Sequence, residues 1–438
     1  MKRAWSAEES RSRAEEVRDL HAIAHLATAG RSPGPAGPLA GVPMVVKDNI
    51  HVAGMPNTAG TPALADHVPR EHASVVRRLI DAGATVIGKA TMHELAFGIT
   101  CDTTPVGPVR NAHDPFRFAG GSSGGTAVAV AAGIVPAGLG TDTGGSVRVP
   151  AALNGVCGFR PTTGRYPADG MTPLSGTRDT AGPIARTVTE LALLDSVLAA
   201  ERPEPLAEVP PPAIRLGVPH GFLTGDLDEE VEELWESAVT RLRAAGVTMV
   251  PVDDTALAEL SADQGMSLVI HEAGTGLRAY LEEHVPGVSF ERLVGEVAAA
   301  DVRAIFTDSV VPGVAPAVYE AALATRSALR GTYARVFREC GIDALAFPTT
   351  PATAKEFSAV GDFVLRGRVV PTFPTFIRNC QHGSIAGFPG LTVPMGRDQN
   401  GLPAGLALDG ALGEDRNLLA IGASVERTLA DQQASILA

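Results

Sequence analysis

A Gly/Ser-rich block from Gly120 to Arg148 constrains this chain more than any other stretch. It carries two serines 24 positions apart: Ser122 in Gly120-Gly121-Ser122-Ser123-Gly124-Gly125, and Ser146 in Gly140-Thr141-Asp142-Thr143-Gly144-Gly145-Ser146-Val147-Arg148. The glycines imply tight turns, and the backbone N–H groups of such turns can serve as oxyanion donors. Upstream, Lys47 closes the apolar run Val42-Pro43-Met44-Val45-Val46. A hydroxyl is a weak nucleophile until a base takes its proton. A lysine can be that base only when neutral, and burial among apolar groups makes it so. Nucleophile, base and oxyanion donors thus occur together here, and no other part of the chain offers as complete a set.

Lysine is rare, at positions 2, 47, 89 and 355, while arginine supplies nearly all the positive charge. Placing a lysine inside an apolar segment of such a chain calls on what arginine lacks, a titratable amine. The net charge of −13, with no basic cluster, argues against nucleic acid or an anionic membrane as partner. No apolar run is long enough for a membrane span. The charged N-terminal residues lack the apolar core of a signal peptide, so the cytoplasm is the expected compartment. Cys101, Cys157, Cys340 and Cys380 are scattered and read as core or pocket thiols, not as a disulfide or zinc framework.

Along the chain, residues 6–28 read as one amphipathic helix, with Ser6 and Glu9 at capping-box spacing. Residues 29–40 read as a Gly/Pro loop. A strand at 42–46, a helix at 72–82 stopped by Gly83, a strand at 85–88 and a second helix at 91–97 predict an α/β fold. Residues 125–133 read as a helix of small residues, and Pro150 opens another short helix. Past the Pro-rich stretch 201–212 come strands at 214–218 and 247–252 around a charged helix at 228–245. Residues 255–340 are mostly helical, and a strand at 342–347 follows. The chain closes with strands at 391–394 and 406–408 and a helix near 417–429.

Several motifs fail on their flanks. Gly121-Ser122-Ser123-Gly124-Gly125 fits G-x-S-x-G, but no apolar strand precedes it as a nucleophile elbow requires. Thr126 stands where a phosphate loop needs Lys, and Thr143 where a dinucleotide fingerprint needs its third Gly. No Ser precedes a Lys at S-x-x-K spacing. Phe97 replaces the second His of a zincin, and His21 and His25 lack a third ligand.

The surviving pattern is Lys47-Asp48-Asn49, the two Gly/Ser segments with Val149-Pro150-Ala151-Ala152, and Gly155-Val156-Cys157-Gly158-Phe159-Arg160-Pro161-Thr162. With Ala386-Gly387-Phe388-Pro389-Gly390-Leu391-Thr392-Val393-Pro394, it resembles the amidase signature family, strongly over 40–200 and moderately over 342–430. The resemblance implies an α/β/α fold with a large mixed central sheet covered by helices on both faces. It implies one amidase domain over 1–438: an N-terminal helix and loop (1–40), a signature core (41–200), a variable, mostly helical region (201–341) and a C-terminal part of the core (342–438).

By the same resemblance the triad is Ser–cis-Ser–Lys. Ser146 attacks the carbonyl, Ser122, after a cis peptide bond, relays the proton, and Lys47 is the base. The N–H groups of Thr143, Gly144, Gly145 and Ser146 form the oxyanion hole, and Asp142, Arg148 and Ser123 brace the nucleophile loop. Neither metal nor organic cofactor is implied; the partner is a small-molecule amide, and a homodimer is left open. The segment before Lys47 is shorter than in many members.

Val46-Lys47-Asp48-Asn49-Ile50-His51-Val52-Ala53-Gly54, with residues 92–99 and 165–167, looks most like the indoleacetamide and mandelamide hydrolases. These release ammonia from arylacetamides. Met92, Phe97, Ile99, Gly121 and Phe388 are the expected pocket residues. A carbamate or anilide hydrolase with the same triad is the alternative. The catalytic component of a tRNA-dependent amidotransferase is a further one, although its tyrosine-rich segment is not recognisable in 300–340.

Overall fold

The computed structural model describes residues 5–27, 36–261 and 264–436. Its strands are β1 (Ile23–Leu26), β2 (Pro43–Lys47), β3 (Thr85–Ala90), β4 (Ala137–Asp142), β5 (Cys157–Arg160), β6 (Thr180–Ala185) and β7 (Arg215–Pro219). They continue as β8 (Thr248–Val252), β9 (Ala344–Pro348), β10 (Asp362–Leu365), β11 (Arg368–Pro371), β12 (Gly390–Arg397) and β13 (Pro403–Gly410). Eleven of them form one mixed sheet in the order β1-β3-β2-β4-β6-β5-β12-β13-β9-β7-β8, while β10 and β11 make a separate hairpin. The mostly helical region 201–341 also supplies β7 and the edge strand β8, at the two places where the sequence predicted strands.

β2 is an interior strand, parallel to both neighbours, β3 and β4, and every residue in it is buried. A strand covered on both faces reads as a continuous apolar run. Successive side chains alternate faces. Met44 and Val46 join a core with the helices Ser74–Asp81, Val188–Leu198, Glu229–Ala244 and Asp415–Ile436. Val45 joins the opposite core, with the helix Gly124–Ala131. Lys47, two residues on from Val45, emerges on that second face beside the start of this helix.

Two local expectations give way to tertiary contacts. The first helix stops at Glu16, capped by Ser6 as its spacing predicted; the chain then turns, and Ile23–Leu26 pairs antiparallel with β3. The open edge of β3 needs partners for its backbone groups, and pairing there outweighs the helical periodicity of 6–28. Of the expected loop 29–40, residues 29–35 lie outside the described residues. Residues 91–97 form only a single 3-10 turn, Glu94–Ala96, with Leu95 and Ala96 left-handed at φ 51° and 60°. The buried Glu94 carboxylate accepts the N–H groups of Ala298 and Ala299, which holds this turn against the middle region. The short helix near Pro150 starts earlier, at Arg148.

Candidate active site

Ser122 follows a cis peptide bond from Gly121, and Ser123 precedes the helix Gly124–Ala131. This helix sits tightly against the sheet because its second residue has no side chain. A Cβ on Gly125 would lie 2.4 Å from the carbonyl oxygen of Ala22 and 2.5 Å from that of Thr91. The helix start is thereby set over the end of β2. There Lys47 Nζ donates to Ser122 Oγ at 2.8 Å and to Thr141 Oγ1 at 2.8 Å. Asn49 Nδ2 reaches the same threonine hydroxyl at 3.2 Å. Lys47 and Ser122 are fully buried, and no carboxylate lies within 4 Å of Lys47 Nζ among the described residues. Burial pulls the amine down to about 7, against the upward pull of Cys101, Asp142 and Asp179. The other buried lysine, Lys89, differs: it pairs with Asp48 at 3.4 Å and donates to Pro56 O and Asn57 Oδ1.

Ser146 stands on the loop leaving β4, and that loop wraps around one carboxylate. Asp142 accepts the N–H groups of Gly145 at 2.8 Å and Val147 at 3.2 Å. Arg148 meets both Asp142 oxygens, at 3.1 and 3.2 Å, and also donates to Cys380 O and Ser384 Oγ. Burial alone would raise the Asp142 carboxyl, but Arg148 and Arg160 hold it well below the usual carboxylate range. Ser123 links the two segments: its N–H donates to Ser146 O at 3.1 Å and its hydroxyl to Thr141 O at 3.1 Å. No hydrogen bond joins the Ser122 and Ser146 side chains among the described residues.

The expected set of four N–H donors narrows. Gly145 N–H is taken by Asp142, because its carboxylate is what closes the loop. The N–H groups of Thr143, Gly144 and Ser146 have no acceptor among the described residues, and all three residues line one cleft.

That cleft opens to solvent, and most of its walls are apolar side chains. Phe97 lines it, as expected from the sequence, together with Leu174, Met266, Val269, Phe373 and Ile377. The four other expected pocket residues do not. Met92 packs with Leu95 and Leu64 and faces a different cavity; Ile99 packs with Phe118 and Phe376; Phe388 lies on Tyr333 with ring centroids 4.7 Å apart. Gly121 faces the backbone of Ile99, 3.0 Å from where its Cβ would be. Each is core because the sheet and its covering helices converge there. Leu174 aside, the residues that replace them sit on the helices Gln264–His284 and Thr372–Ala386. The second was missed, although Phe373, Ile377 and Gln381 recur at the four-residue spacing of one helix face.

Comparison with known proteins gives concordant matches. The family model described as Amidase matches residues 1–419. Mandelamide hydrolase of Pseudomonas putida is 45% identical over 424 residues, covering 92% of this chain and 81% of that protein. Indoleacetamide hydrolase of Agrobacterium vitis is 40% identical over 394 residues, covering 89% and 84%. A solved amidase structure superimposes with a TM-score of 0.84 at 37% identity, over 96% of this chain and 95% of the other. A component of the glutamyl-tRNA(Gln) amidotransferase from Thermotoga maritima gives 0.79 at 28% identity, over 96% and 90%.

Proposed function

This chain belongs to the amidase family, and from that premise we propose that it hydrolyses small arylacetamides to a carboxylate and ammonia through an acyl-enzyme at Ser146. The observation that carries the mechanism is the 2.8 Å contact of a buried, carboxylate-free Lys47 amine with Ser122 Oγ. With a pKa near 7, about half of these amines are neutral at pH 7 and able to accept a proton.

In the first half-reaction the neutral Lys47 takes the Ser122 proton as Ser122 takes that of Ser146. The Ser146 oxygen attacks the amide carbon, and the carbonyl electrons move onto oxygen. N–H groups of Thr143, Gly144 and Ser146 stabilise this oxyanion; one such donor contributes about 10²–10³ in rate. The proton returns through Ser122 to the amide nitrogen, the C–N bond breaks and ammonia leaves. In the second half-reaction water gives a proton to the same relay and attacks the ester, and Ser146 regains its proton as it departs. Asp142 and Arg148 keep the loop in place.

The apolar walls from Phe97, Leu174, Met266, Val269, Phe373 and Ile377 suit an aryl group, and the two relatives named above accord with it. The relatives do not favour the carbamate or anilide alternative. The amidotransferase reading draws only on a likeness at 28% identity.

The test is ammonia release from indole-3-acetamide, phenylacetamide, a short aliphatic amide and an aryl carbamate, by the wild type and Ser146→Ala. Turnover of the arylacetamides that vanishes in the variant is expected. Turnover confined to the carbamate would overturn the substrate, and full activity of Ser146→Ala would overturn the mechanism.

A further inference from the structure

Among the described residues lining the cleft, Arg178 alone is charged, and it is only 3% exposed. No carboxylate pairs with its guanidinium there; Asp179, next in the chain, spends its oxygens on Thr143 Oγ1 and on the N–H groups of Leu174 and Ser175. The guanidinium holds two carbonyls instead: Nε donates to Thr143 O at 3.0 Å, and Nη1 to Gly265 O at 2.8 Å. Hydrogen bonds from a charged donor are roughly twice as strong as neutral ones, so both carbonyls are firmly held. Gly265 lies in the first turn of the helix Gln264–His284, whose Met266 and Val269 wall the cleft. Arg178 therefore ties the loop that carries Ser146 to one wall of the cleft.

In a trans peptide the N–H points opposite to the carbonyl that precedes it. A tether on Thr143 O therefore directs the Gly144 N–H away from Arg178. The other two unmatched donors of the loop are directed in the same way. Arg160 Nη1 holds Asp142 O, which sets the Thr143 N–H, and Val149 N–H holds Gly145 O at 2.8 Å, which sets that of Ser146. Position 144 has the greatest need of a tether. A Cβ there would lie 2.8 Å from Ile377 Cδ1, and glycine avoids displacing that side chain. Glycine also accepts the backbone angles of a flipped peptide, and a flip would put Thr143 O where the N–H donor should be. We propose that Arg178 is a positioning residue for the oxyanion hole: it keeps the Thr143–Gly144 peptide turned so that the Gly144 N–H faces the reacting carbonyl. This inference rests on Ser146-dependent amide hydrolysis in the cleft and adds a residue that acts through the loop.

The probe of the hole is benzylboronic acid, which has boron where phenylacetamide has its carbonyl carbon. The Ser146 oxygen adds to the empty boron orbital, its proton goes to Lys47 through Ser122, and a tetrahedral anion is left with an oxygen in the oxyanion position. An interaction made only in the transition state lowers kcat and kcat/KM together and leaves KM alone. In Arg178→Met, kcat for phenylacetamide should therefore fall by about 10²–10³, the loss of one such donor, with KM little changed. The Ki of benzylboronic acid should rise by a similar factor, and the acid limb of the pH profile should stay at its wild-type midpoint, because Lys47 is untouched. Arg178→Lys, with one ammonium for two carbonyls, should fall between the two. Wild-type kcat in Arg178→Met, or a loss that falls on KM as heavily as on the boronate, overturns the inference and leaves the hydrolase reading standing. Should Arg178→Met fail to fold, the same split in Arg178→Lys decides. Ser146→Ala should lose both turnover and boronate affinity; absence of any Ser146-dependent ammonia release in the wild type refutes the hydrolase reading itself, and this inference with it.

Discussion

Lys47→Met should move activity and stability in opposite directions. The amine has a pKa of about 7 in the fold against 10.5 in an ordinary environment, so the folded state binds its proton more weakly than the unfolded chain. Between those values the unfolded chain carries the extra proton, and stability rises with pH. The penalty is full below pH 7, shrinks as the pH climbs and is gone above 10.5. At roughly 1.4 kcal/mol per pKa unit it is on the order of 4 kcal/mol at neutral pH. Methionine fills similar space without that penalty. It also forfeits the hydrogen bonds to Ser122 and Thr141, about 1 kcal/mol each. The net expectation is stabilisation by about 2 kcal/mol at pH 7, read as a rise in the urea midpoint. The same variant loses its base, and kcat/KM for phenylacetamide should fall by about 10²–10⁴. In the wild type, kcat/KM should drop nearly tenfold per pH unit below 7, with about 1% of the amine neutral at pH 5. Retained turnover in Lys47→Met, or a wild-type profile flat down to pH 5, would refute a lysine base. A variant several kcal/mol less stable than wild type would refute the burial argument.

Two further substitutions probe the scaffold. Gly→Ala inside a helix ordinarily gains up to about 1 kcal/mol, but Gly125→Ala drives a Cβ to 2.4–2.6 Å from backbone atoms of Ala22 and Thr91, so the denaturation midpoint should fall. An unchanged or higher midpoint would contradict the close approach that positions Ser122. Arg148→Met strands the buried Asp142 carboxylate with only Arg160 beside it and should cost about 3–5 kcal/mol. Adding Asp142→Asn should recover part of that loss in a double-mutant cycle, whereas strictly additive effects would show that the pair does not act as a unit.

What the sequence by itself determined lies where chemistry and local geometry coincide. Lys47 at the end of an apolar run, the Gly-flanked serines and the Asp142–Arg148 spacing are short-range features, and glycine or proline at a fixed offset leaves the backbone few choices. β2, the helices at 74–81 and 229–244 and the strands around 390–410 were legible for the same reason, since each is a periodic run longer than its alternatives. The tertiary structure decided everything that depended on a partner distant in sequence. Residues 23–26 became a strand because β3 had an edge to fill, and residues 91–97 gave up a helix so that Glu94 could reach Ala298 and Ala299. Met92, Ile99 and Phe388 are apolar and near the motifs, yet apolarity does not say which side of a wall a residue faces, and packing put them in the core. Apart from Phe97 and Leu174, the apolar walls of the cleft came instead from helices at 264–284 and 372–386, more than a hundred residues from Ser146. Arg178 had no signal at all in a chain that uses arginine throughout. Its meaning comes from burial and from the two carbonyls it holds, and only a folded chain has either.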